Sequence, residues 1–200
     1  MIGSFSAGAH EAPHPKAVAL RLTRDRIAIS IELTIPAGEA SRGLRQAFDR
    51  DKSGRLDAEE QRALVEHLVK TAALRTRLAV DGRDVPLRLA AAPSVDHGED
   101  PAASTALLTL RADLDAPWPA GSGDWLGRRQ LVLTDDAPSA TGHVPASVSC
   151  TGCTISSFSA GAFLRDDRGV DHVLAAHVSK AEPLQLAVRI GGSGFSCGSH

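Results

Sequence analysis

Residues 16–35, KAVALRLTRDRIAISIELTI, alternate apolar and polar side chains through two runs, 16–23 and 26–35, that meet at Arg24-Asp25-Arg26. Successive side chains of a strand point to opposite faces, so this period of two predicts a half-buried β-hairpin. Pro36 and Gly38 close the second run and release the chain from the sheet. Further along, LRTRLAV at 74–80 and VPLRLAA at 85–91 flank Asp81-Gly82-Arg83, where Asp-Gly suits the positive φ values of a tight hairpin turn. STALLTLRADL at 104–114 and RRQLVLT at 128–134 complete six strand-like runs, separated by a Pro/Gly-rich turn that carries Trp118 and Trp125. Residues 92–103, rich in Pro, Ser, Asp and Gly, are expected to form a long loop. Short strands at this spacing predict a mainly β fold, an antiparallel β-sandwich.

One stretch interrupts the pattern. Residues 49–60 read D-R-D-K-S-G-R-L-D-A-E-E, and the run supplies oxygen donors at alternating positions, as a hard cation with six to eight ligands requires. Asp49, Asp51 and Ser53 stand at positions 1, 3 and 5, Gly54 at the sharp turn of position 6, Arg55 at position 7 to offer its carbonyl, Asp57 at position 9 and Glu60 at position 12. Leu44, Ala47 and Phe48 before the run and Leu64, Val65, Leu68 and Val69 after it recur at helical spacing. Residues 40–70 thus resemble the EF-hand family. The resemblance implies an inserted helix-loop-helix, a single EF-hand over 39–73, and calcium held by Asp49, Asp51, Ser53, Arg55, Asp57 and Glu60. Arg50, Lys52 and Arg55 weaken the negative field, which places the expected affinity at the micromolar-to-millimolar end of the family's range.

No second run of this kind occurs in the chain. EF-hands usually pair through position 8, so Leu56, together with Phe48, Leu64 and Leu68, needs another cover. The tethering of the insertion at Pro36 and near Leu74 favours the sandwich of the same chain, and hence a monomer, over a second copy.

A second, looser resemblance covers residues 9–148. Ala9-His10, Leu78 to Leu87 and Gly127 to Asp135 are similar to the extracytoplasmic β-domain of nickel-permease-like hydrogenase and urease accessory proteins. It implies an exported, metal-related accessory domain, with transport itself not carried over. Ala7-Gly8-Ala9 has the small-x-small form of a signal-peptidase site, although residues 1–6 lack the basic and apolar regions of a signal. Residues 1–15 are therefore read as a flexible N-terminus, either an ordinary start or the end of a longer export signal, the latter implying a periplasmic or extracellular bacterial protein. His10, Glu11 and His14 lie within it.

The composition shifts at about 149 toward Gly, Ser and Cys, so the chain divides into a β-domain at 16–148 and a Cys/Gly-rich β segment at 149–200. Strand-like runs recur in the latter at 170–178 and 184–190, the first carrying His172 and His177. Cys150, Cys153, Cys197 and His200 have a spacing that can fold onto one tetrahedral zinc ion, making a zinc-stabilised or transition-metal-handling protein the alternative. In an exported protein the same spacing suits a Cys150–Cys153 disulfide that leaves Cys197 free. The CxxC lacks a βαβ setting for thioredoxin chemistry.

Composition excludes several functions. A net charge of −2 without a basic stripe gives no footprint for nucleic acid, and 4% aromatic residues with no Tyr give no stacking platform. No run of 18 apolar residues suggests a membrane span. Neither a phosphate-binding glycine loop nor a G-x-S-x-G or H-E-x-x-H motif is present, so the expectation is a non-catalytic protein with a protein partner.

Overall fold

The computed structural model describes residues 16–97, 105–119, 129–135, 143–144, 146–151, 154–158, 162–165, 171–174, 176–177 and 184–191. The hairpin at the start of the chain forms β1 (Lys16–Leu22) and β2 (Arg26–Ile35), followed by helices α1 (Glu39–Phe48) and α2 (Ala58–Ala72). Strands β3 (Thr76–Val80), β4 (Arg83–Val85), β5 (Arg88–Leu89), β6 (Ser94–Asp96), β7 (Leu108–Pro117) and β8 (Arg129–Asp135) come next. Beyond them lie β9 (His143–Val144), β10 (Ala146–Cys150), β11 (Thr154–Phe158), β12 (Ala162–Arg165), β13 (Asp171–Leu174), β14 (Ala176–His177) and β15 (Leu184–Gly191).

Two sheets carry the fold. The first has the order β10-β1-β2-β7-β5, with β6 also on β7, and the second the order β11-β15-β8-β3-β4. Inward positions of both contribute to one apolar cluster: Leu20, Ile29, Leu110 and Val148 from the first sheet, Leu78, Leu131, Leu133 and Ile190 from the second. The molecule is thus a mainly β sandwich with an inserted helix pair. All strand pairs in the two sheets are antiparallel except β1 with β10, which run parallel with Leu20 opposite Val148.

The hairpin prediction at Asp81-Gly82 holds in detail, since both residues have positive φ, 51° and 76°, as the mirror-image turn between twisted strands requires. The run at 85–91 does not form one strand. Val85 still pairs with Leu78, but Pro86 has no N–H to continue the ladder, and the chain crosses to the first sheet, where Leu89 pairs with Leu114. The expected loop at 92–103 is interrupted by β6, whose Val95 pairs with Leu110 of β7. The boundary drawn at 148 runs through β10, and β15 lies in the middle of the second sheet. The composition changes there, but the hydrogen bonding is continuous. His172 and His177 do not share a strand but stand on β13 and β14 in separate two-stranded sheets.

Helix α2 is built into the same core: Leu64, Leu68, Val69 and Ala72 are buried in it. Phe48, Leu56 and Val65 pack against it from partly buried positions, so the apolar face of the insertion is covered by this chain's own sandwich. Helix α1 contributes differently from the expectation. Leu44 and Phe48 pack against the core as expected, but Ala47 is exposed, and the buried residues of the helix are polar, Ser41 and Arg45. The Ser41 hydroxyl donates to the Ala106 carbonyl, the Gly38 N–H donates to the Thr105 carbonyl at 2.9 Å, and Arg45 Nε reaches Ser41 Oγ at 3.4 Å. Polar anchors of this kind leave no period in an apolar pattern, which is why they escape a sequence reading. His97, after β6, lies near Arg45; burial first and the Arg45 charge second lower its pKa.

At the far end of α2 a buried ion pair joins the layers. Lys16 of β1 pairs with Asp135 of β8, both almost wholly buried, and the ammonium also donates to the Ala72 carbonyl at 2.6 Å. Burial pulls the Lys16 pKa down, and Asp135 opposes that. The ammonium thus caps the negative end of the helix while tying the two sheets together.

Two outcomes follow, one from the Lys16–Asp135 pair and one from His97. Asp135→Ala strands the Lys16 ammonium and is expected to cost about 3–5 kcal/mol in urea unfolding, whereas Lys16→Met combined with Asp135→Leu recovers most of that loss. Because the folded protein resists protonating His97, its contribution to stability is present above its ordinary pKa of 6.5 and is lost as pH falls below it. In a pH series of thermal melts, His97→Gln should show a smaller loss over that window than the parent.

Candidate metal centre

The loop between the helices begins where α1 ends. The Asp49 N–H makes the last helical bond, to the Arg45 carbonyl at 2.9 Å, and the chain then turns through two left-handed residues, Lys52 at φ 57° and Gly54 at φ 81°. A Cβ at Gly54 would meet nothing within 4 Å. The requirement for glycine is therefore conformational rather than steric. Asp49 accepts from the Ser53 N–H at 3.0 Å and, with its other oxygen, from the Gly54 N–H at 2.8 Å. The Ser53 N–H is shared with Asp51 at 2.9 Å, and this bond is the first cause of a lowered Asp51 pKa, followed by the Ser53 hydroxyl.

The other end of the loop is a capping box. Asp57 Oδ1 accepts from the N–H groups of Glu59 at 2.8 Å and Glu60 at 2.9 Å, and Glu60 Oε2 accepts from the Asp57 N–H at 3.0 Å. These bonds satisfy orphan donors at the start of α2. Glu60 does more than cap, since its Oε1 accepts from the Arg50 N–H at 2.6 Å. One carboxylate, itself buried, therefore holds both arms of the loop.

This arrangement brings carboxylate oxygens of Asp49, Asp51 and Glu60 within 4.8 Å of one another. Donors at about 2.3–2.6 Å from a shared cation lie at most about 5 Å apart, so the three can hold one ion. Among the described residues no ion pair joins any of them to a lysine or arginine: Arg50 instead pairs with Glu59, at 3.6 Å. Three converging negative charges repel one another unless a cation or a proton offsets them. A carboxylate has about four acceptor sites, so the bonds to backbone N–H groups leave capacity for a metal.

Of the six residues the sequence singles out, these three converge. Ser53 and Arg55 are turned to each other, the serine hydroxyl donating to the Arg55 carbonyl at 2.8 Å. Asp57 is engaged as the cap of α2 rather than in the cluster. The donor set is all oxygen, which suits a hard cation and not the softer metals that prefer nitrogen and sulfur.

The late cysteines divide differently. Cys150, at the buried end of β10, is disulfide-bonded, and a disulfide sulfur does not serve as a thiolate ligand for zinc. Cys153, Cys197 and His200 lie outside the described residues, as do His10, Glu11 and His14.

No protein-family model matches this sequence, and no curated protein matches it.

Glu60→Ala in the presence of a chelator is expected to lower stability by roughly 1–3 kcal/mol, because two backbone N–H groups lose their acceptor. Asp51→Ala, at an exposed position, should cost less than about 0.5 kcal/mol under the same conditions. Urea titrations of the two variants side by side check the difference.

Proposed function

We propose that residues 49–60 bind a calcium ion and that the protein is a non-catalytic, calcium-binding β-domain protein of EF-hand type. The observation that supports this most is the convergence of the Asp49, Asp51 and Glu60 carboxylates within 4.8 Å, with no ion pair to any of them among the described residues. Ser53 and the Arg55 carbonyl, which bond to each other without an ion, turn to it when it binds, and Asp57, while capping α2, completes the ligand set directly or through a water. An irregular shell of this kind, with Glu60 able to present two oxygens, suits calcium better than magnesium, which demands near-ideal octahedral geometry and keeps its waters.

The ion acts as a clip and not as a switch. Opening the helix pair would take Leu64, Leu68 and Val69 out of the common core, at roughly 1.5–3 kcal/mol for each side chain. Glu60 also bridges the loop through protein hydrogen bonds, so little movement remains for the ion to drive. The disulfide at Cys150 favours an oxidising compartment, where abundant calcium suits a site of modest affinity. A role as an exported accessory or interaction domain fits both features.

Calorimetry with millimolar calcium tests the proposal. It is expected to give one ion per chain and a higher melting temperature, with a gain of about 2.7 kcal/mol at 100 times Kd, and Glu60→Gln should remove both effects. Fluorescence of an apolar dye should stay unchanged on adding calcium, as a clip requires. Absence of heat and of a thermal shift would exclude calcium binding, while a calcium-dependent rise in dye fluorescence would exclude the clip alone.

A further inference from the structure

A cavity of about 380 Å³ opens where Pro86 takes the chain from the second sheet to the first. Its walls are mostly apolar: Leu78, Val85, Leu87 and Leu114, with Leu74 at the lip. Leu74, just beyond α2, is the most exposed of the large apolar side chains described, at 60%. A buried hydroxyl interrupts this lining. Thr76, only 7% exposed, also borders the cavity, and its hydroxyl has no hydrogen-bond partner. A buried hydroxyl without a partner carries a desolvation cost that a ligand bearing a polar atom would relieve.

The surroundings of Thr76 define the chemistry of that atom. Thr76 stands directly opposite Asp135 across the β3–β8 pairing, and Asp135 is already neutralised by Lys16. A charged head entering beside this balanced pair would be desolvated without a counter-ion of its own. A neutral hydroxyl, amide or carbonyl needs only the Thr76 hydroxyl. Arg77 and Asp84 border the cavity as well and carry opposite charges, so together they favour neither an acid nor a base.

We propose that this cavity is a binding site for a small, uncharged amphipathic molecule, whose short aliphatic body packs against Leu78, Val85, Leu87 and Leu114 and whose polar head bonds to Thr76. The volume lies at the low end of ligand sites, roughly 300–1,000 Å³, which suits a chain of a few carbons. The site is separate from the calcium loop. Asp57 and Ala73 cap opposite ends of α2, and its 15 residues span about 22 Å at 1.5 Å per residue.

The test is an NMR titration of the whole protein with 1-hexanol and with hexanoate, in calcium and again with chelator. 1-Hexanol is expected to bind saturably under both conditions, shifting the resonances of Leu78, Leu87 and Leu114. Thr76→Val, which keeps the shape and deletes the hydroxyl, should weaken 1-hexanol about tenfold, the worth of one neutral hydrogen bond. Leu87→Trp at the partly buried wall should block binding while leaving the remaining spectrum folded. Hexanoate binding as tight as that of 1-hexanol would overturn the assignment of a neutral head. Equal affinity for the Thr76→Val variant, or no saturable shift with 1-hexanol, would overturn the site.

Discussion

A single apolar core has to serve two sheets and a helix pair at once. The inward rows of β1, β2 and β7 meet those of β3 and β8, and α2 adds Leu64, Leu68 and Val69 to the same cluster. A helix-loop-helix inserted between two strands would otherwise expose an apolar stripe to water, and a lone pair of helices of this length is marginal in isolation. The sandwich supplies the missing surface. In return the insertion is held in one orientation: helices committed to the core have no hidden apolar face that an ion bound in the loop could release.

Polar groups fix the two ends of this arrangement. At the start of α2, Glu60 accepts from Arg50 and Asp57, so the loop is closed by the protein's own hydrogen bonds and its carboxylates stay near one another. Pre-organisation of this kind reduces the ordering cost of binding, but it also holds negative charges together. At the other end Lys16 lies against the Ala72 carbonyl and Asp135. Buried ion pairs of this type contribute little net stability, because desolvation offsets attraction, yet removing one partner is costly. The pair therefore enforces register between β1, β8 and α2 more than it strengthens them.

The strands after residue 145 change the meaning of the cysteines. β10 completes the first sheet beside β1, and the disulfide at Cys150 sits at the end of that strand next to the Thr151 N–H bond to the Leu22 carbonyl, 2.9 Å long. A covalent link at a sheet edge constrains the unfolded chain and lies well away, in sequence and in chemistry, from the oxygen-lined loop.

The period of two in residues 16–35, the Asp81-Gly82 turn and the oxygen-donor spacing from Asp49 to Glu60 are all local features, legible because each depends on neighbours a few residues apart. They sufficed for the strand-rich class, the helix insertion and the three carboxylates that converge. Contacts between distant residues were not legible. Nothing near Lys16 announces Asp135, and nothing near Ala146 announces a parallel partner in β1, since hydrogen bonds and ion pairs across more than a hundred residues leave no periodic trace. Asp57 acts as a helix cap rather than as a member of the acidic cluster because backbone N–H groups at the start of α2 claim its carboxylate, and Ser41 is buried on α1 because a distant carbonyl, that of Ala106, accepts its hydroxyl. Local pattern chose the elements; burial of polar groups, which must find partners wherever the chain brings them, chose how they fit together.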